Sequence, residues 1–140
     1  MPTKAFLDSN VFIFGFEQPK SNSRKILDLL AAADLRGAVT DRVVREVIGY
    51  FRRHYRKDLA ARFRDYVLST CELVLEHDLQ VPRQLTELVG RKDAGAVAAT
   101  RALGLAFLVS TDSDLQAVPQ RRTPREFLQE LNQVPLQGDE

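Results

Sequence analysis

A chain of 140 residues with 44% hydrophobic content holds enough apolar side chain for one domain around one core. Its net charge of +1 excludes a whole-molecule attraction to nucleic acid or anionic lipid, so only a local basic patch can serve such a partner. A single cysteine, Cys71, excludes an intrachain disulfide, and no apolar run approaches the roughly 18 residues that cross a bilayer. The N-terminal apolar stretch carries Asp8 and Asn10 and lacks a small-residue cleavage site, so a secretory signal is not expected. These features together predict a cytoplasmic protein without membrane contact.

In chain order, Ala5-Phe6-Leu7 predicts a short buried strand that ends at Asp8, after which the apolar run resumes. Ser21 and Ser23 are candidate N-caps for a helix "RKILDLLAAADLR", with Gly37 placed to end it. Ala38-Val39-Thr40 follows as a second strand, and Thr40 suits the cap of "DRVVREVIGYFRRHY", where Val43, Val44, Val47, Ile48 and Phe51 recur at helical spacing. A further helix is expected over 58–70, then a strand "CELVLE" and a short helix "PRQLTELV" with Pro82 at its first position. Asp93 precedes a small-residue helix, "AGAVAATRAL", closed by Gly104, and "LAFLVS" over 105–110 is an apolar strand bounded by turn residues. Thr123-Pro124-Arg125-Glu126 forms a capping box that starts the last helix, "REFLQELN". Strands alternate with helices and are apolar throughout, which predicts an α/β fold: a single-domain, three-layer α/β/α sandwich on a mostly parallel sheet. The expected domain covers 1–132, with 133–140 as a loose tail.

In an open parallel sheet, ligands bind outside the carboxyl ends of the strands. Asp8 follows the first strand, Asp112 follows the strand over 105–110, and Asp114 lies two residues beyond. Asp93 stands at the start of the helix feeding that strand, and Glu46 sits on the helix after the second strand, outside its apolar stripe. Singly, each has an ordinary explanation as a turn residue, a cap or a solvated helix position. Together they map to one edge of the sheet. Two carboxylates about 4 Å apart repel by about 4 kcal/mol at an effective dielectric near 20, so such a cluster holds protons or a cation. All-oxygen ligands suit Mg²⁺ or Mn²⁺, and the natural substrate is then a phosphate ester.

With these residues in view, the chain resembles the PIN-domain ribonucleases, of the kind found in VapC-like toxins. "FLDSNVFI" resembles the family's opening motif, "VVREVIGY" the segment that carries its glutamate, and "RKDAGAVAATRALGLAFLVSTDSDL" its third block; "TPREFLQEL" resembles the closing helix. The resemblance implies that Asp8, Glu46, Asp93 and Asp112 form an acidic catalytic metal site, with Asp114 as an accessory ligand. It implies Asn10 and Thr111 as residues that orient ligands or water. It further implies an endoribonuclease that uses Mg²⁺ or Mn²⁺ on single-stranded or structured RNA and leaves a 5′-phosphate and a 3′-hydroxyl. A homodimer, and a small antitoxin whose tail enters the acidic groove, are the implied protein partners.

The segment "REVIGYFRRHYRKDLAARFRDY" is dense in arginine and aromatics. Arg45, Arg52, Arg53, Arg56 and Lys57 are candidates for an RNA or partner surface, and Tyr50 or Tyr55 for stacking on a base. A solvated basic face with its aromatics in the core explains the same pattern. His54 and His77 are isolated and make no zinc-type cluster, and Ser9 has no base beside it. Two other functions fit part of the pattern. A haloacid-dehalogenase-like phosphatase also places an aspartate after its first strand, but needs a second acid where this chain has Asn10. A non-catalytic RNA-binding module would use the basic helices and ignore divalent metal.

Overall fold

Leaving β1 (Thr3–Leu7), the chain turns at once into α1 (Ser9–Glu17), capped by the Asp8 carboxylate, which accepts from the Ser9 N–H. There follow α2 (Asn22–Ala31), β2 (Leu35–Thr40), α3 (Asp41–His54), α4 (Lys57–Thr70), β3 (Cys71–Val74), α5 (Arg83–Val89), α6 (Arg91–Ala102), β4 (Leu108–Val109), β5 (Arg121–Arg122) and α7 (Pro124–Glu130). The computed structural model describes residues 2–138 and Glu140. Met1 and Asp139, which belong to the expected domain and tail, lie outside the described residues.

All five strands run parallel in the order β3-β2-β1-β4-β5. Central β1 pairs Phe6 with Ala38 on one side and with Leu108 on the other. Ala5, Phe6 and Leu7 are all fully buried, so both faces of the strand are covered, as the lack of alternation in the sequence predicts. The architecture is the expected α/β/α sandwich. Helix α6 packs on β1, β2 and β4 and is backed by α5, and every residue from Asp93 to Thr100 is buried. Its small side chains permit this: a Cβ on Gly95 would collide with the Glu76 carboxylate. Between α1, α3 and α4 lies an edge-to-face aromatic cluster. Phe63 stands 5.4 Å from Phe12 and 5.9 Å from Phe51, with Phe16 and Tyr66 beside them.

Several expectations are corrected. Residues 9–17 form a helix that the sequence pattern does not signal, because "VFIFGF" is aromatic, β-branched and without a polar face. Gly37 does not end α2; it lies inside β2, where a Cβ would press on Cys71 Sγ, Leu30 and Leu7. The helix instead ends at Ala31, and Ala33 takes the left-handed turn (φ 61°). Asp93 lies within the first turn of α6, which starts two residues earlier with Gly90 as its cap. Only Leu108 and Val109 of the expected strand over 105–110 pair as β4, since Gly104 and Leu105 close α6 and the Leu105 N–H bonds the Thr100 carbonyl. The short charged strand β5 gives no apolar signal at all. Beyond α7, Leu136 N–H donates to Asn22 Oδ1 (2.6 Å), Lys25 donates to the Val134 carbonyl, and Glu140 Oε2 accepts from Ser23 N and Oγ (2.8 and 2.7 Å).

Candidate active site

The chain builds β2 and β3 outward on one side of β1, then crosses to add β4 and β5 on the other. That reversal separates the loops leaving β1 and β4 and opens a crevice at their carboxyl ends. The two strands stay in register there, with the Asp8 N–H donating to the Val109 carbonyl at 3.0 Å. The crevice is a cavity of about 680 Å³ whose lining includes Asp8, Glu46, Lys92, Asp93, Asp112 and Tyr50.

Asp8 is buried and held from several directions. Its Oδ1 accepts from Ser9 N (2.8 Å), and its Oδ2 accepts from Ser110 Oγ (2.7 Å) and, more weakly, from Asn10 Nδ2 (3.4 Å). Ser110 Oγ in turn accepts from Asp112 N (3.0 Å) and Asn10 Nδ2 (3.2 Å), so one buried hydroxyl ties the β1 loop to the β4 loop. Asp112 caps the short turn Ser113–Leu115 by accepting from Asp114 N (2.9 Å). Helix α6 brings Asp93 from below, and one carboxylate oxygen each from Asp93, Asp112 and Asp114 lies within 4.8 Å of the others. Across the cavity, Glu46 Oε2 pairs with Lys92 Nζ at 3.3 Å.

Burial raises the Asp8 pKa and the nearby Asp112 charge adds to it, while the Ser110 and Ser9 hydrogen bonds hold it down. Asp93 is pushed up to about 7, first by burial, then by its hydrogen bond with Asp112 and the charges of Asp8 and Asp112. The pocket therefore favours a bound proton or cation. Three carboxylate oxygens from one buried and two more exposed residues form an all-oxygen donor set. One oxygen from each of three carboxylates inside a 4.8 Å span is the kind of donor set that a hard divalent cation takes.

Of the residues picked from sequence, Asp8, Asn10, Arg45, Glu46, Arg53, Asp93, Thr111 and Asp112 all line this cavity. Asp114 joins through its contact with Asp93 and Asp112. Thr111 participates through its backbone, donating N–H to Asn10 Oδ1 (3.2 Å); the hydroxyl that reaches Asp8 belongs to Ser110. The basic set divides. Arg52 and Lys57 line a different groove beside Arg64, and Arg56 lies in another with His54 and Arg62. Lys92 and Ser110 were not singled out by sequence. The signal available for each was position: Lys92 is adjacent to Asp93, and Ser110 is the polar last residue of an apolar run.

The profile of the PIN domain matches residues 4–114. A search of curated proteins finds no matching sequence. Solved structures do match. A toxin–antitoxin complex from Klebsiella pneumoniae is 20% identical with a TM-score of 0.61, the alignment covering 87% of this chain and 98% of that one. VapBC2 from Rickettsia felis, bound to a DNA fragment from its promoter, gives 17% identity and 0.63 over 86% and 98%. Mycobacterium tuberculosis VapC20, described as a sarcin-ricin loop cleaving toxin, gives 15% and 0.56 over 81% and 93%. At these identities the structural matches speak for the fold, whereas the profile spans most of the chain and its acidic positions from Asp8 to Asp114: the chain belongs to the PIN-domain family.

Proposed function

We propose that this chain is an endoribonuclease that hydrolyses phosphodiester bonds of RNA with Mg²⁺ or Mn²⁺ and acts in the cytoplasm as the toxin of a toxin–antitoxin pair. The observation that carries this reading is the meeting of buried Asp8 and Asp93 with Asp112 and Asp114 at the switch point of the sheet. Family membership supports a nuclease, and the VapC20 title supports RNA as the class of substrate. The toxin–antitoxin complexes among the structural matches support a small antitoxin as partner, and a homodimer remains part of the proposal.

Asp93, Asp112 and Asp114 would hold the ion, with Asp8 adjoining them. A bound divalent ion supplies charge neutralisation at the phosphate and a water of lowered pKa. The rest falls to the chain. Ser9, Asn10 and Ser110 fix the Asp8 carboxylate in one orientation, so no reorganisation is needed when substrate arrives. Glu46, with Oε2 engaged by Lys92, keeps its other oxygen for orienting the attacking water and accepting its proton. Arg45 and Arg53 on the same wall face the substrate's flanking phosphates. A phosphatase gains no support, because the Asn10 side chain is spent on Asp8, Ser110 and the Thr111 N–H and supplies no second acid.

The test compares wild type with Asp8→Asn on single-stranded RNA, with Mg²⁺ or Mn²⁺ and with EDTA. Wild type should cut only with metal, and the variant should lose more than about a hundred-fold in rate. Without metal the variant should melt at the same temperature or slightly higher, since one repulsive charge beside Asp112 is gone. Equal cutting by both proteins, or cutting in EDTA, defeats the proposal.

A further inference from the structure

The cavity also has an apolar and cationic lining. Alongside the carboxylates, α1 contributes Ile13 and Phe14, and α3 contributes Gly49, Tyr50 and Arg53 together with Glu46. Phe14 is 38% exposed, a large aromatic at the rim of an acidic site with little packing role. The Tyr50 ring is fixed: its hydroxyl donates to Glu17 Oε2 at 2.7 Å, it stands edge-to-face with Phe51, and the His54 ring backs it at 4.5 Å, while Tyr50 still lines the cavity. Gly49 sits mid-helix, where glycine is disfavoured, yet a Cβ there would meet only Arg53 Nη1 at 3.4 Å. No close packing requires the glycine, and Gly49 lines the cavity beside Tyr50.

We infer that this wall is a subsite for one unpaired nucleobase next to the scissile phosphate, with Phe14 and Tyr50 as its stacking surfaces and Arg53 as its phosphate contact. The inference rests on the nuclease reading and adds what that reading does not specify: the means by which single-stranded RNA is selected. Charge favours this occupant. Among the described residues Arg53 pairs with no carboxylate, and Arg45 has only a loose contact with Asp41 at 3.7 Å. Both cations line the same cavity as Phe14, Tyr50 and the carboxylates, and free positive charge beside aromatic rings fits a base flanked by phosphates. Size agrees: about 680 Å³ is in the range of small-ligand sites and has room for one base turned out of its stack.

The experiment uses the full chain carrying Asp8→Asn, which separates binding from cleavage. The probe is a short single-stranded RNA with one fluorescent pyrrolocytosine, moved position by position, in Mg²⁺. Binding should quench the analogue at one position only. Adding Tyr50→Leu or Phe14→Ala should remove the quench and weaken binding about ten-fold, whereas Tyr50→Phe should keep the quench. An abasic nucleotide at the same position should weaken binding equally, with no further loss in the Tyr50→Leu protein. Circular dichroism and melting check that each variant is folded. Equal binding of the abasic RNA, equal binding of duplex, or unchanged RNA binding by folded Tyr50→Leu and Phe14→Ala would each overturn the inference, the last being the result expected if the wall takes an antitoxin side chain. Loss of cleavage by wild type alone would count against the nuclease reading without touching this measurement.

Discussion

Ser110 shows how much one short side chain carries at this site. Its hydroxyl donates to Asp8 and accepts from the Asp112 N–H and the Asn10 amide, all while fully buried. Ser110→Ala leaves those partners in place without their common centre. Losing the donor should raise the Asp8 pKa further, since that hydrogen bond is the main influence holding it down. Mg²⁺ affinity should then fall about 10- to 100-fold, and stability by about 1–3 kcal/mol. Calorimetric titration with Mg²⁺ on the folded variant checks the first figure, and unchanged affinity would remove Ser110 from the site. Asp8 and Asp112 were legible in sequence because a carboxylate that ends an apolar run marks the rim of a parallel sheet. Ser110 and Lys92 were not, because their roles depend on β4 lying beside β1 and on the first turn of α6 facing α3. Those are facts of strand order and packing, which residue spacing does not encode.

Among the elements, α1 and α3 form the cavity wall, and the aromatic cluster with α4 sets their separation. Phe63 touches both through Phe12, Phe16 and Phe51, with ring centroids between 5.4 and 6.1 Å away. Phe63→Ala should cost about 3–5 kcal/mol in urea unfolding, from lost burial and an unfilled cavity. A cost under about 1 kcal/mol would mean that the cluster does not brace the wall. Helix α3 was plain in the sequence because Val43, Val47 and Phe51 repeat on one face and are buried as expected. The start of α7 was equally plain, and both bonds of its capping box form (3.1 and 2.9 Å). Helix α1 was hidden because it is apolar on nearly every side, one part entering the core and another lining the cavity. Strand β4 was drawn too long and β5 was missed for the opposite reason: two-residue strands are too short to carry a period. The same limit split the basic segment, whose arginines share a stretch of sequence but face three separate grooves.

For the molecule as a whole, the acidic site couples folding to protons and, on the proposed reading, to metal. The Asp93 pKa rises from 3.8 to about 7 on folding, and that of buried Asp8 rises as well. A carboxyl raised in the folded state binds more protons folded than unfolded, so it favours folding at low pH, and that contribution is lost as pH climbs through its folded pKa. Metal-free protein should therefore lose stability between about pH 4 and pH 7, at pH values where carboxylates of the usual kind favour the reverse or are flat. Glu126 illustrates the usual kind: its pKa is lowered by the Thr123 backbone N–H, so its contribution is lost only on acidification below its ordinary value of 4.5. Asp93→Asn should flatten the slope across about pH 5 to 7 and leave the variant more stable than wild type near pH 8 in EDTA. Mg²⁺ should reverse that ranking, raising the wild-type melting temperature at about pH 8, where protons no longer compete for the oxygens, and raising it less near pH 5. Melting curves across this range, with and without Mg²⁺, measure all of these effects. Parallel pH profiles for wild type and Asp93→Asn would mean that Asp93 ionises freely, and a carboxylate at ease without a cation has no need of one.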